Sequence, residues 1–148
     1  MLADQRIQRL LLSCAFCCLA AVGSYAQDEK DTLKDPNFVI VLGEDMDDVL
    51  NIVVYVKPAG VTEVAIRQFS ERIKKLFVEE KRIGVYFFND LSIANKFLSN
   101  DNSISEPKFF KSMRGVYILS RKDNPRETFK FLPNGTTEAE LESLSRNN

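Results

Sequence analysis

Residues 50–90 run apolar strand, amphipathic helix, apolar strand, and no other stretch restricts the fold so tightly. Leu50, Ile52, Val54 and Val56 alternate with Asn51, Val53, Tyr55 and Lys57, the period of a strand whose first face must be covered. Pro58-Ala59-Gly60 ends that strand, because proline has no N–H to donate to a ladder. Thr62 then stands where a helix N-cap belongs, and Glu63 where the helix dipole favours a carboxylate. Ala65, Phe69, Ile73, Leu76 and Phe77 recur at three and four residues, with Arg67, Glu71, Lys74 and Lys75 opposite, so the helix packs on a sheet. Ile83-Gly84-Val85-Tyr86-Phe87-Phe88 is apolar in both registers, as an interior strand is. Adjacent strands joined through a helix are expected to be parallel.

The flanks add further strands. Phe38-Val39-Ile40-Val41-Leu42 is a strand by composition, and Gly43-Glu44-Asp45-Met46-Asp47-Asp48 an acidic hairpin loop after it. Asn89 or Asp90 caps a short helix carrying Leu91, Ile93, Ala94, Phe97 and Leu98. A polar run over 99–105 follows, then a helical turn begun by Ser105-Glu106-Pro107, with Phe109 and Phe110 anchoring it to the core. Val116-Tyr117-Ile118-Leu119 and Thr128-Phe129-Lys130-Phe131-Leu132 form a hairpin across Lys122-Asp123-Asn124-Pro125. Thr137 and Glu140 make a capping box for a last short helix with Leu141 and Leu144. The order β-β-α-β-α-β-β predicts an α+β two-layer sandwich: a mixed sheet of about five strands with one long helix packed on one face. One domain spans 36–132, between a polar lead-in at 27–35, read as disordered, and a polar tail at 133–148.

Residues 1–26 read as a secretory signal peptide. Arg6 and Arg9 precede an uncharged run over 10–22, and Ser24-Tyr25-Ala26 supplies the cleavage pattern. That run is shorter than the about 20 residues a membrane span needs. Cys14, Cys17 and Cys18 all lie inside it, so the expected mature chain from Gln27 is disulfide-free and relies on its core. The expected location is periplasmic or secreted, a cysteine-free chain fitting a bacterial periplasm better. Cleavage removes Asp4, Arg6 and Arg9 and takes the net charge from −1 to −2. A near-neutral chain is no general nucleic-acid binder and no polybasic membrane-surface protein.

Histidine is absent, and cysteine is absent beyond the signal. Cysteine and serine-histidine nucleophiles, histidine bases and nitrogen- or sulfur-ligated zinc are therefore excluded. The glycines stand apart and build no phosphate loop. No cofactor is expected, and nothing in the spacing demands an enzyme. The 99–114 connection, where Phe109 and Phe110 interleave with Lys108, Lys111 and Arg114, could bind an acidic partner, although an anchored loop with solvated lysines is the favoured reading, and two further candidate sites remain. Glu44, Asp45, Asp47 and Asp48 could supply oxygens to Ca²⁺, or carboxylates to a metal-dependent enzyme. They lack the EF-hand's central glycine and distal glutamate, so a solvated loop is the favoured reading. The second candidate follows from strand phase: Tyr55, Tyr86, Phe88 and Tyr117 are expected on the sheet face opposite the long helix, with Lys57, Thr128 and Lys130 nearby. Large, rigid, half-polar rings suit contact with a macromolecule. Against this, tyrosine is common in strands, and the second helix or the C-terminal segment could cover that face. The expectation is an exported, non-catalytic binding or accessory domain that contacts a protein or another envelope or extracellular macromolecule. The alternative is a carboxylate- or metal-dependent enzyme using the acidic loop.

Overall fold

The computed structural model describes residues 33–46, 48–97, 106–122 and 124–146. The expected signal peptide and the lead-in up to residue 32 lie outside them. Thr62 opens the long helix α1 (Glu63–Leu76), its hydroxyl accepting from the Ala65 N–H at 3.2 Å. Ile66, Phe69 and Ile73 form its buried stripe. At its other end the Arg121 guanidinium donates to the carbonyls of Lys74, Phe77 and Glu80 at 3.0, 3.0 and 2.5 Å. A cation is favoured there, because the last carbonyls of a helix lack partners and carry partial negative charge.

Five strands, β1 (Phe38–Met46), β2 (Val49–Val56), β3 (Arg82–Phe88), β4 (Met113–Ser120) and β5 (Arg126–Phe131), lie in sequence order across one sheet. β2 and β3 are parallel, in register from Leu50↔Ile83 to Tyr55↔Phe88, as their helical connection requires. The other three pairings are antiparallel. The mixed α+β sheet with one long helix on a face is therefore the architecture the periodicity implied.

On the α1 face, Leu50, Ile52, Val54 and Val56 pack with Ile83, Val85 and Phe87 against Ile66, Phe69 and Ile73. Phe38 stacks on Phe69 at 4.6 Å, and Phe87 meets both rings edge-on, near 6 Å. The second face is also covered in part. Short helices α2 (Leu91–Lys96), α3 (Glu106–Ser112) and α4 (Glu138–Arg146) bring Ile93, Ala94, Phe109 and Leu141 onto Val53, Phe88, Met113 and Val116. Asp90 caps α2 by accepting from the Ile93 N–H at 3.2 Å. The predicted capping box at α4 forms: Glu140 N–H donates to the Thr137 hydroxyl and Thr137 N–H to the Glu140 carboxylate, at 3.3 and 3.2 Å.

Three boundaries differ from the sequence reading. Glu44, Asp45 and Met46 belong to β1, paired with Asn51, Leu50 and Val49, and leave only residues 47 and 48 for the turn. The ladder offered by β2 overrides the low strand propensity of two acids. Asp48 closes the turn at φ 62°, a conformation its short polar side chain tolerates. At the N-terminal side, the contacts of the domain begin at Leu33 rather than Pro36. Leu33 packs on the α1-side core, and the Asp35 carboxylate accepts from Arg72 at 2.7 Å and from the Asn37 N–H at 2.9 Å. Burial works to raise the Asp35 pKa, but these bonds and the Arg72 charge outweigh it and hold it below 3.8. The C-terminal segment packs back as well, with Leu141 against the second-face core and Thr136 N–H donating to the Phe110 carbonyl at 2.9 Å.

Candidate binding face

Directly opposed residues of neighbouring strands share a face, so the register decides which aromatic side chains meet. Tyr55, Tyr86 and Phe88 do share the face away from α1, as their phase implied. Tyr117 does not. It pairs with Val85 and Phe129 and packs in the α1-side core, 1% exposed. β4 is apolar on both sides of its alternation, so its hydrophobic pattern could not choose between the faces. A register shift between Phe87 and Phe88 puts Met113 and Val116, three residues apart, on the same side.

The four positions consequently have different surroundings. Phe88 is fully buried, with the rings of Phe97 and Phe109 at 5.2 and 5.5 Å and those two stacked on each other. Phe109 and Phe110 meet edge-on at 5.0 Å, so they anchor α3 as the sequence suggested. Tyr86 is half-buried, with its ring 4.7 Å from Phe97 and its hydroxyl reaching back over Gly84. A Cβ at residue 84 would stand 3.1 Å from that hydroxyl and 3.1 Å from the Asn51 side-chain oxygen, so glycine makes room for both. Burial raises the Tyr86 pKa and keeps the phenol a neutral donor. Tyr55 is half-exposed at the end of the face, opposite Val39, which is 44% exposed. α2 starts at that same end with Leu91, 48% exposed. Val39, Tyr55 and Leu91 thus form an apolar end to the second face that the short helices leave open.

Tyr117 belongs to a different constellation. Its hydroxyl is buried without a hydrogen-bond partner of full geometry, close to the carboxylates of Glu127 and Glu71. Burial, and then those two charges, push its ionisation far above the ordinary phenol range. Beside it Lys74 donates to Glu127 at 2.5 Å, tying β5 to α1 across 53 residues of sequence. The Lys74 hydrogen bond lowers the Glu127 pKa below 4.5, and the Glu127 hydrogen bond raises that of Lys74 above 10.5. A depressed carboxylate pKa contributes stability above 4.5 that disappears as pH falls through the folded value. A raised lysine pKa contributes stability below 10.5 that disappears as pH rises through its folded value. Both side chains are about a third exposed, so the pair is worth at most about 1 kcal/mol. Glu127→Gln is expected to lower the melting temperature slightly at neutral pH. The gap to the wild type should close at acid pH, below the carboxylate range. A gap of constant size across acid titration would remove the assignment.

The acidic run does not gather as a cluster among the described residues. Glu44 is exposed at the β1 end, opposite Asn51, and Asp48 is in the turn, 3.5 Å from Lys122. Asp47 lies outside the described residues, and no group of three or more histidine, cysteine, aspartate or glutamate side chains comes together within them. No helix among the described residues is long and apolar enough to cross a membrane. No family model, curated protein or solved structure matches the chain.

The sequence reading missed Val39 and Leu91 as surface residues because Val39 sits inside an apolar run and Leu91 shares a helical pattern with Ile93, Ala94 and Phe97, so both look like core. Only the position of β1 at the sheet margin and of Leu91 on the first turn of α2 exposes them. The Tyr117–Glu127–Lys74 group had no local signal at all.

Proposed function

We propose that the chain is an exported, non-catalytic binding domain, periplasmic or secreted, whose partner is a protein or another envelope macromolecule. The single supporting observation is the apolar end of the second face. Val39, paired with Tyr55, and Leu91, at the start of α2, are each close to half exposed, and covering such apolar side chains favours association. Tyr86, half-buried with its hydroxyl over Gly84, extends that surface along the sheet. Aromatic rings with one polar atom are the usual anchors of protein interfaces. Export is supported by the N-terminal signal pattern.

The full chain, immobilised and exposed to an extract of its native compartment, is expected to retain a partner. Tyr55→Ala and Leu91→Asp should each weaken retention at least tenfold, with circular dichroism and melting little altered for Leu91→Asp. Equal retention by both variants would rule out this face.

A further inference from the structure

We infer that β1 is the docking edge: it accepts an extended, apolar segment of another protein chain as a sixth strand, with a basic residue of that segment against Glu44. The inference rests on the binding-domain reading and specifies how the partner is held.

The two margins of the sheet are built differently. β5 carries Arg126, Glu127 and Lys130, charges that discourage an added strand. Its α1 side is braced by the Lys74–Glu127 pair and by the Arg67 guanidinium, 4.1 Å above the Phe129 ring. β1 has no such protection. From Phe38 through Gly43 it holds no charged residue and no proline, and beyond the Phe38 N–H, which donates to the Asp35 carbonyl at 3.3 Å, its outer row of N–H and C=O groups has no neighbouring strand among the described residues. Only another extended backbone satisfies both donors and acceptors of such a row, which is the basis of recognition by strand addition. Val39, 44% exposed beside Tyr55, gives the incoming strand an apolar neighbour on the second face. Ile40, only partly buried, does the same on the α1 face.

Charge sets the occupant's chemistry. The edge passes from apolar residues to Glu44, exposed at the far end. A segment alternating apolar and polar residues and ending in lysine or arginine at that position is complementary. A second copy is a poorer occupant. The β1 ladder slips between Ile40 and Leu42, and a two-fold pair centred on the apolar run would oppose that irregularity to itself.

The probe is a ten-residue peptide alternating valine and threonine and carrying two lysines at one end, compared with a version carrying two glutamates. Binding is read by fluorescence anisotropy and by amide hydrogen exchange on the full chain. The lysine peptide should bind at least tenfold more tightly and slow exchange in residues 39–44 at least tenfold. Val39→Lys, a gatekeeper charge at an exposed position, should abolish both effects and leave the melting temperature within a few degrees. Exchange slowed elsewhere, equal binding of both peptides, or undiminished binding by Val39→Lys would overturn the proposal. So would β1 amides already protected in a dimer without peptide. Retention of the native partner by Val39→Lys, with loss on Leu91→Asp, would reject strand addition and keep the binding face. No retention by the wild type would reject the binding-domain reading itself.

Discussion

Tyr117→Ala is expected to destabilise the domain by about 3–5 kcal/mol, the cost of emptying a fully enclosed aromatic site. The ring packs in the α1-side core between Val85 and Phe129 on the flanking strands, with Glu71 of α1 and Glu127 of β5 near its hydroxyl. Tyr117→Phe separates packing from polarity. The hydroxyl has no hydrogen-bond partner of full geometry, so removing it is expected to be neutral or to stabilise by up to about 1 kcal/mol. Urea unfolding of the two variants distinguishes this position from Tyr55. If Tyr117→Ala unfolded at the wild-type midpoint and lost only partner retention, Tyr117 would be a surface contact and the β4 phase would be wrong.

Gly135→Ala should cost roughly 2–5 kcal/mol, because two penalties coincide there. Residue 135 has φ 87°, where a Cβ is disfavoured by itself. That Cβ would also stand 2.7 Å from the Phe110 carbonyl oxygen and 2.8 and 2.9 Å from Lys111 backbone atoms. These are backbone atoms and cannot swing aside, so the C-terminal segment has to lift from α3. The Thr136 N–H bond to Phe110 and the cover that Leu141 gives the second face go with it. Loss of exchange protection in α4, together with a lowered midpoint, is the expected signature. Gly135→Asn tests the cause: asparagine tolerates the dihedral angle but keeps the Cβ, so it should remain clearly destabilised. A wild-type midpoint for both variants would mean that the tail does not dock as described.

Much of the architecture was legible from residues alone, and for local reasons. The cap at Thr62, the stripe at Ile66, Phe69 and Ile73, and the reciprocal bonds of Thr137 and Glu140 arise between residues three or four apart. The phase of β2 could be read because Asn51, Tyr55 and Lys57 mark one side as polar. β3 is apolar on both sides, and what fixed its phase was its parallel pairing with β2. The candidate site was only half legible. Tyr55 and Tyr86 fall where alternation puts them, whereas Phe88 disappears under Phe97, at the end of α2, and Phe109 of α3, and strand alternation does not show that cover.

By itself, then, the sequence determined the strand-helix-strand unit, the mixed sheet and the exclusion of histidine chemistry, since each depends on composition or short-range periodicity. Tertiary structure decided the rest. It turned Tyr117 into core by pairing it with Val85 on β3, and joined Lys74 on α1 to Glu127 on β5. It drew the acidic residues at 44 and 45 into a ladder and set the apolar β1 and the charged β5 at the two margins of the sheet. The physical reason is common to all of these. Which face a side chain takes, and which edge is left unpaired, depend on hydrogen bonds between strands far apart in the chain, and no local pattern encodes them.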